Sequence, residues 1–335
     1  MYLVTIAIPL YNAESYIKNT LLSALQQSFK SIEYLIINDQ GTDKSIDIVR
    51  ELQLTHPRGK DIRIISHEKN YGVAIARNTA IKESNSKYLF FLDSDDTIIP
   101  SCIELLYNKL KEESAEIVIS SFMRYSGENK GRTTIFPDKV LRGKFLLANS
   151  NISSRITSVC NILFDLSHIK ETGILFQKVT KFEDIIFMTE LIPLINTCVL
   201  ISDFTYIYNI RDNSLCQYNE RNIIPLSEII DDLEVRKIMK QICINNKRMP
   251  YIGNLCKSVM KRNIEAGIAI IQKRNIITPK ISKSVIIDIF NHPLSLNEIL
   301  CLNNNILFNL GCWLLGKTPY LILSILSSTY IRYKN

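Results

Sequence analysis

The sequence predicts an α/β fold: a mainly parallel sheet with flanking helices, followed by a helical region. Three observations carry this. Short apolar runs alternate with segments of helical apolar spacing over the first 125 residues. The run Tyr88–Leu92 is continuously apolar, as in a strand buried on both faces. Each of the first four runs ends in polar or acidic residues, where open α/β sheets bind their ligands.

Val4–Ile8 is the first strand. Asn12 is placed to cap the helix whose apolar face is Ile17, Leu21, Leu22 and Leu25. Tyr34–Ile37 is the second strand, and Ser45–Leu54 a helix with Ile46, Val49 and Leu52 three apart. Ile62–Ile65 and Tyr88–Leu92 are further strands, with Val73–Glu83 between them as a helix. Ile103–Glu112 is helical and Glu116–Ser120 a fifth strand. Strands alternating with helices imply right-handed βαβ units. Beyond Gly127 the pattern loosens. Thr133–Phe136 reads as a strand, Lys139–Ala148 as a helix, Phe182–Leu191 as a helix ended near Pro193, and Cys198–Ile210 as one strand or two. Segments 223–245 and 251–274 are helical. The expected division is a catalytic domain over 1–215 and a helical region over 216–335.

Composition narrows the function. Glycine is scarce, 11 in 335 residues, which disfavours Gly-rich phosphate loops. Neither G-x-x-x-x-G-K-[ST] nor G-x-G-x-x-G occurs, against P-loop NTPases and dinucleotide oxidoreductases. The eight cysteines are dispersed without a Cys-x-x-Cys pair, which reads as a reduced, intracellular chain. The four histidines show no metal-pair spacing. The net charge of +7 suits anionic ligands or a nearby anionic membrane. No signal peptide is read at the N-terminus, and nucleic acid is not an expected partner.

The polar residues converge. Strand one ends at Pro9, Tyr11 and Asn12, strand two at Asp39, and strand three at His67 through Asn70 with Arg77 on the next helix. Strand four ends at Asp93-Ser94-Asp95-Asp96. Such a crevice suits a nucleotide. Asp39 can accept from the ring N–H of a uracil-like base, and Tyr11 can stack on the base. Asp95, with Asp93, can hold a divalent cation against two phosphates. Arg77 can reach a phosphate or a carboxylate. The plain alternatives are turn or capping aspartates and a structural ion pair.

These motifs together resemble family 2 glycosyltransferases, inverting enzymes with a GT-A fold, a Rossmann-like mixed sheet with flanking helices. Thr5–Asn12, Ile36–Ser45, Asn70–Asn78 and Asp93–Asp96 resemble four ordered family motifs. Lys181–Phe187 resembles the Glu-Asp helix start that carries the family's base, which falls on Asp184. Tyr208–Ser214 resembles a later segment near the diphosphate, which carries over Arg211 alone. The resemblance implies a nucleotide-sugar site of Pro9, Tyr11, Asn12, Asp39, Asn70, Arg77, Asp93, Ser94 and Arg211. It implies a divalent metal (Mn2+ or Mg2+) on Asp95 and Asp93. Its expected activity is hexosyl or N-acetylhexosaminyl transfer from a UDP-sugar to a saccharide or lipid-linked saccharide, in cell-surface polysaccharide or glycoconjugate synthesis. The rival readings are a sugar-phosphate nucleotidyltransferase and a degenerate nucleotide-binding module.

Apolar runs at 306–315 and 320–326 are split by Lys317 and Pro319. They fit two short interfacial helices, as expected of a cytoplasmic enzyme peripheral on the inner membrane, with residues 306–334 as the contact. Core packing or a homodimer contact is the alternative for the same residues.

Overall fold

Continuous apolar runs need partners on both faces, and the chain supplies them by stacking strands edge to edge between helices. The computed structural model describes residues 2–126, 129–210 and 223–334. The chain divides into two compact units. Met1–Leu147, Ile156–Lys178 and Glu183–Ser214 make the first, and Ala148–Arg155, Val179–Phe182 and Leu215–Asn335 the second.

Among the described residues the first unit holds ten strands: β1 (Val4–Leu10), β2 (Ile32–Asn38), β3 (Ile62–Ser66), β4 (Tyr88–Phe91), β5 (Thr97–Ile98), β6 (Ile117–Ser126), β7 (Asn129–Thr134), β8 (Lys139–Arg142), β9 (Ile162–Asp165) and β10 (Thr197–Ile210). Its helices are α1 (Ile17–Leu25), α2 (Ser45–Thr55), α3 (Val73–Glu83), α4 (Cys102–Glu113), α5 (Leu166–Thr172) and α6 (Glu183–Leu191). The strand order is β3-β2-β1-β4-β9-β6-β10-β5, with β7 added to β6 and β8 to β10. β3, β2, β1 and β4 run parallel, so their carboxyl ends lie along one edge of the sheet. β9 then runs antiparallel to both β4 and β6, which makes the sheet mixed. β1 and β2 are buried along their whole length, and the Thr5 hydroxyl donates to the Glu33 carboxylate between them at 2.9 Å.

Three local readings are corrected. Lys139–Ala148 is not a helix: Lys139–Arg142 pairs antiparallel with Thr197–Leu200. The flank of the long β10 captures it, and Gly143, at φ 131°, ends it. Asn12 caps no helix; α1 starts five residues later, after Tyr16. Asp96 does not cap α4, which begins after Ser101. The short run Ile162–Asp165 and the helix after it carry too few residues to show a period. Asp165 marks that helix start by accepting the N–H groups of Ser167 and His168.

The second unit contains α7 (Leu226–Asn245), α8 (Ile252–Lys273), α9 (Lys283–Phe290), α10 (Leu296–Leu300), α11 (Ile306–Gly316) and α12 (Tyr320–Lys334). A two-strand pair joins β11 (Ile224–Pro225) to β12 (Ile277–Thr278). Ile224, Ile270, Ile277, Ile286, Phe290 and Leu323 share its core. Gly267 lets α8 meet the Phe290 ring, because a Cβ there would sit 2.4 Å from the ring. Among the described residues no helix is long and apolar enough to cross a membrane.

Candidate active site

Parallel register sets the first half of the site. Asn38 lies opposite Ser66, so the residues that follow, Asp39 and His67, leave the sheet side by side. Asp39 is buried, and its Oδ1 accepts from His67 Nδ1 at 2.6 Å and from the Tyr71 N–H at 2.9 Å. Its Oδ2 accepts from the Gly72 N–H at 2.8 Å. Because a carboxylate only accepts, Nδ1 of His67 carries the proton, and Nε2 faces the Thr79 hydroxyl at 2.9 Å. One side chain thereby fixes the loop between β3 and α3. Gly72, with φ at 93°, supplies the turn into α3.

Neighbouring loops are pinned in the same way. Asn12, with φ at 45°, accepts the Thr42 N–H on Oδ1 at 2.7 Å. A Cβ on Gly41 would lie 2.9 Å from the Asn12 nitrogen, so only glycine allows this approach. Burial works to raise the Asp43 pKa, but the hydrogen bonds it accepts from Ser45 and from the Glu14 N–H together outweigh this and hold it below the usual carboxylate value. Pro9 is buried within β1 opposite Ile37. Tyr11 is 48% exposed and Asn70 is exposed, so both rings and amides are presented at the edge and not packed.

The acidic turn after β4 gives each aspartate a different partner. Asp93 Oδ1 accepts from Arg77 Nη2 at 2.7 Å, and the same Nη2 reaches Cys160 Sγ at 3.9 Å. Burial, followed by the charge of Asp93, raises the pKa of that thiol, so it is a donor at neutral pH. Asp96 is buried, accepting from the Tyr206 hydroxyl at 2.6 Å and from the Asn209 N–H at 2.9 Å. Burial, then Asp95 and Asp93, raises its proton affinity well above the carboxylate norm. Asn209 also donates from Nδ2 to the Asp95 carbonyl at 2.8 Å, so β10 fastens the turn from behind. Ser94 is buried, and its carbonyl accepts from the Thr20 hydroxyl at 3.0 Å. Asp95 is the partly exposed carboxylate of the turn together with Asp93.

Arg77 joins this turn to the second acidic element. It is buried on α3, and its Nη1 donates to Glu183, the first residue of α6. Burial opposes its charge, but Asp93 leads a set of anions that more than offsets this and raises its pKa. Its guanidinium lies 5.5 Å from the Phe176 ring, which itself stacks on Phe187 of α6 at 4.1 Å. Asp184 follows Glu183 at the helix start and is partly buried. Burial first, then the Glu183 charge, lift its pKa from the ordinary carboxylate value to about 7; Arg77 pulls the other way. A carboxyl so tuned can take up a proton near neutrality, as a general base must.

The donor set fits a hard divalent cation shared with a ligand. Among the described residues no group of three or more His, Cys, Asp or Glu side chains could hold a metal ion. A carboxylate or two at a sheet edge is the usual protein contribution when phosphate oxygens and water complete the shell. Asp95 and Asp93, both partly exposed on the turn, are the carboxylates placed for that part.

The structure therefore brings Asp93, Arg77 and Asp184 together and puts Asp95 on the same turn. Asp39 is tied into the neighbouring loops, while Tyr11, Asn12, Asn70 and Ser94 lie on the turns around them and Pro9 lies within β1. Arg77 meets carboxylates, the second of the two partners expected for it. Arg211 lies outside the described residues. His67 and Glu183 were absent from the expected site. The parallel register next to Asp39 was the signal for His67, whereas nothing in the sequence joins Glu183 to Arg77, 106 residues away.

A mixed sheet whose parallel half ends in this acidic edge defines the GT-A class expected from the sequence. The structure is similar to the crystal structure of S. aureus TarS 1-349 in complex with UDP-GlcNAc, with a TM-score of 0.72 at 15% identity over 98% of this chain and 92% of that one. The sequence profile of glycosyl transferase family 2 matches residues 5–171. Glycosyltransferase GlyA of Streptococcus pneumoniae is 35% identical over 129 residues, 38% of this chain and 18% of that protein. The UDP-Glc:alpha-D-GlcNAc-diphosphoundecaprenol beta-1,3-glucosyltransferase WfaP of Escherichia coli is 34% identical over 176 residues, 52% of this chain. The chain belongs to glycosyl transferase family 2. It spans 18% of the length of GlyA and 63% of that of WfaP.

Proposed function

We propose that this chain transfers a hexosyl or N-acetylhexosaminyl group from a UDP-sugar to a saccharide hydroxyl, with inversion, and that the acceptor is lipid-linked or part of a cell-surface polymer. The observation that carries this reading is the position and tuning of Asp184. It starts α6 beside Glu183, whose partner Arg77 also grips Asp93 on the turn that bears Asp95. Asp184 takes the proton of the acceptor hydroxyl as its oxygen attacks the anomeric carbon from the side opposite the diphosphate. One displacement breaks the bond to the leaving oxygen and inverts the centre. Asp39, immobilised by His67, Tyr71 and Gly72, offers an oxygen lone pair to the base N–H, and Tyr11 lines the base pocket. Pro9, Asn12, Asn70 and Ser94 shape the turns around the nucleotide.

Mn2+ or Mg2+ held by Asp95, with Asp93 beside it, would stabilise the charge of the departing diphosphate. The nucleotide named for TarS, and the donor and the lipid diphosphate in the name of WfaP, support the UDP donor and the lipid-linked acceptor.

Replacing Asp184 by Asn keeps the shape and removes the base. Transfer should fall by ~10²–10⁴-fold while UDP affinity stays within a factor of a few. Turnover within a factor of a few of the parent would refute the assignment, as read by product formation beside calorimetric UDP binding.

A further inference from the structure

The second unit carries an apolar surface that transfer chemistry does not use. On α11, Leu307, Gly311 and Leu314 follow one another at helical spacing and are exposed, Leu307 by 85%. On α12, Leu321, Ile322, Ile325 and Leu326 are exposed, Leu321 by 73%. Single exposed leucines are common, but two successive helices with apolar outer faces are not.

α11, α12 and the turn between them carry cations and no acidic residue. No Asp or Glu follows Glu298 in the sequence. Lys317, exposed between the two helices, lies 5.5 Å from the Trp313 ring. Lys283 and Arg274 flank the Tyr320 ring at 5.5 and 5.3 Å, and Lys257 lies 5.9 Å from Phe308. Amphipathic rings beside cations, bordering an aliphatic face, match the boundary between lipid headgroups and acyl chains. A second copy is the poorer occupant, since self-contact of these two helices would bring their cations together with no carboxylate from the same stretch to pair with them. Helices of this length cannot span a bilayer, but they can lie along it.

We propose that the outer faces of α11 and α12 dock on an anionic lipid surface, with the aliphatic side chains in the interface and the lysines against phosphate headgroups. The full chain should co-sediment with phosphatidylcholine–phosphatidylglycerol vesicles and far less with phosphatidylcholine alone. The triple variant Leu307→Gln, Leu321→Gln, Ile325→Gln alters only exposed positions. It should lower binding to the mixed vesicles about tenfold or more without lowering the melting temperature. Leu54→Gln, an equally exposed leucine in the first unit, should bind as the parent does. Lys317→Glu gives a second arm that removes no apolar surface and should weaken binding about fivefold. Failure of the parent to bind mixed vesicles, equal binding to both lipids, or undiminished binding by the triple and Lys317→Glu variants overturns the proposal. A dimer that the triple variant disperses, without vesicle binding, overturns it in favour of a second copy.

Discussion

Asp184 carries two opposed consequences at the level of one residue. An ordinary carboxyl titrates near 3.8, whereas burial and Glu183 hold this one near 7. As base it works only when deprotonated, so kcat/KM should rise with pH and level off above about 7. The stability change runs the other way. A carboxyl whose folded pKa exceeds its unfolded value binds more protons in the folded state. It favours folding fully below about pH 4, and this contribution is lost as pH rises through about 7. Asp184→Asn should therefore remove the kinetic rise and also melt higher than the parent at pH 8, by on the order of 1–2 kcal/mol. A flat pH–rate profile in the parent between pH 5.5 and 8 would contradict this tuning. Asp184 was legible in the sequence through its Glu-Asp helix start. Its pKa was not, because the burial that raises it and the opposing charge of Arg77, from another element, belong to the folded chain.

Among elements, the loop between β3 and α3 is held largely through Asp39, and His67 is its least replaceable partner. His67→Ala removes the Nδ1 donor from a buried carboxylate and also frees Thr79. The expected cost is ~1–3 kcal/mol in stability, with weaker UDP binding by titration calorimetry. Unchanged UDP affinity would mean that Asp39 keeps its position without the imidazole. This region also marks where sequence reading succeeds. Four parallel strands were visible from their largely apolar runs, three of them, β1, β2 and β4, because a strand buried on both faces cannot conceal its composition. Lys139–Arg142 was missed because its strand state comes from Thr197–Leu200, far along the chain, and not from its own periodicity.

On the scale of the whole molecule, a ligand confined to the folded state adds stability by mass action. UDP with Mn2+ at about a hundred times its Kd should stabilise the chain by ~2.7 kcal/mol. Asp95→Ala should lose the part of that shift that depends on Mn2+ and keep the part due to UDP alone. An identical Mn2+-dependent shift in the variant would remove Asp95 from the metal's shell. The second unit was read from sequence only as helical, since its faces pack by long-range contacts such as Gly267 against Phe290.

The bridge from Arg77 to Glu183 has a bearing on descent. The two residues share one buried ion pair across 106 positions of sequence. Loss of Arg77 leaves Glu183 as an uncompensated interior charge, at ~3–5 kcal/mol, and releases Asp93 as well, whereas loss of Glu183 leaves Arg77 still paired with Asp93. Through divergence Arg77 should thus be the less freely exchanged member of the bridge. Homologues with an uncharged residue at position 77 should carry a compensating change at position 183.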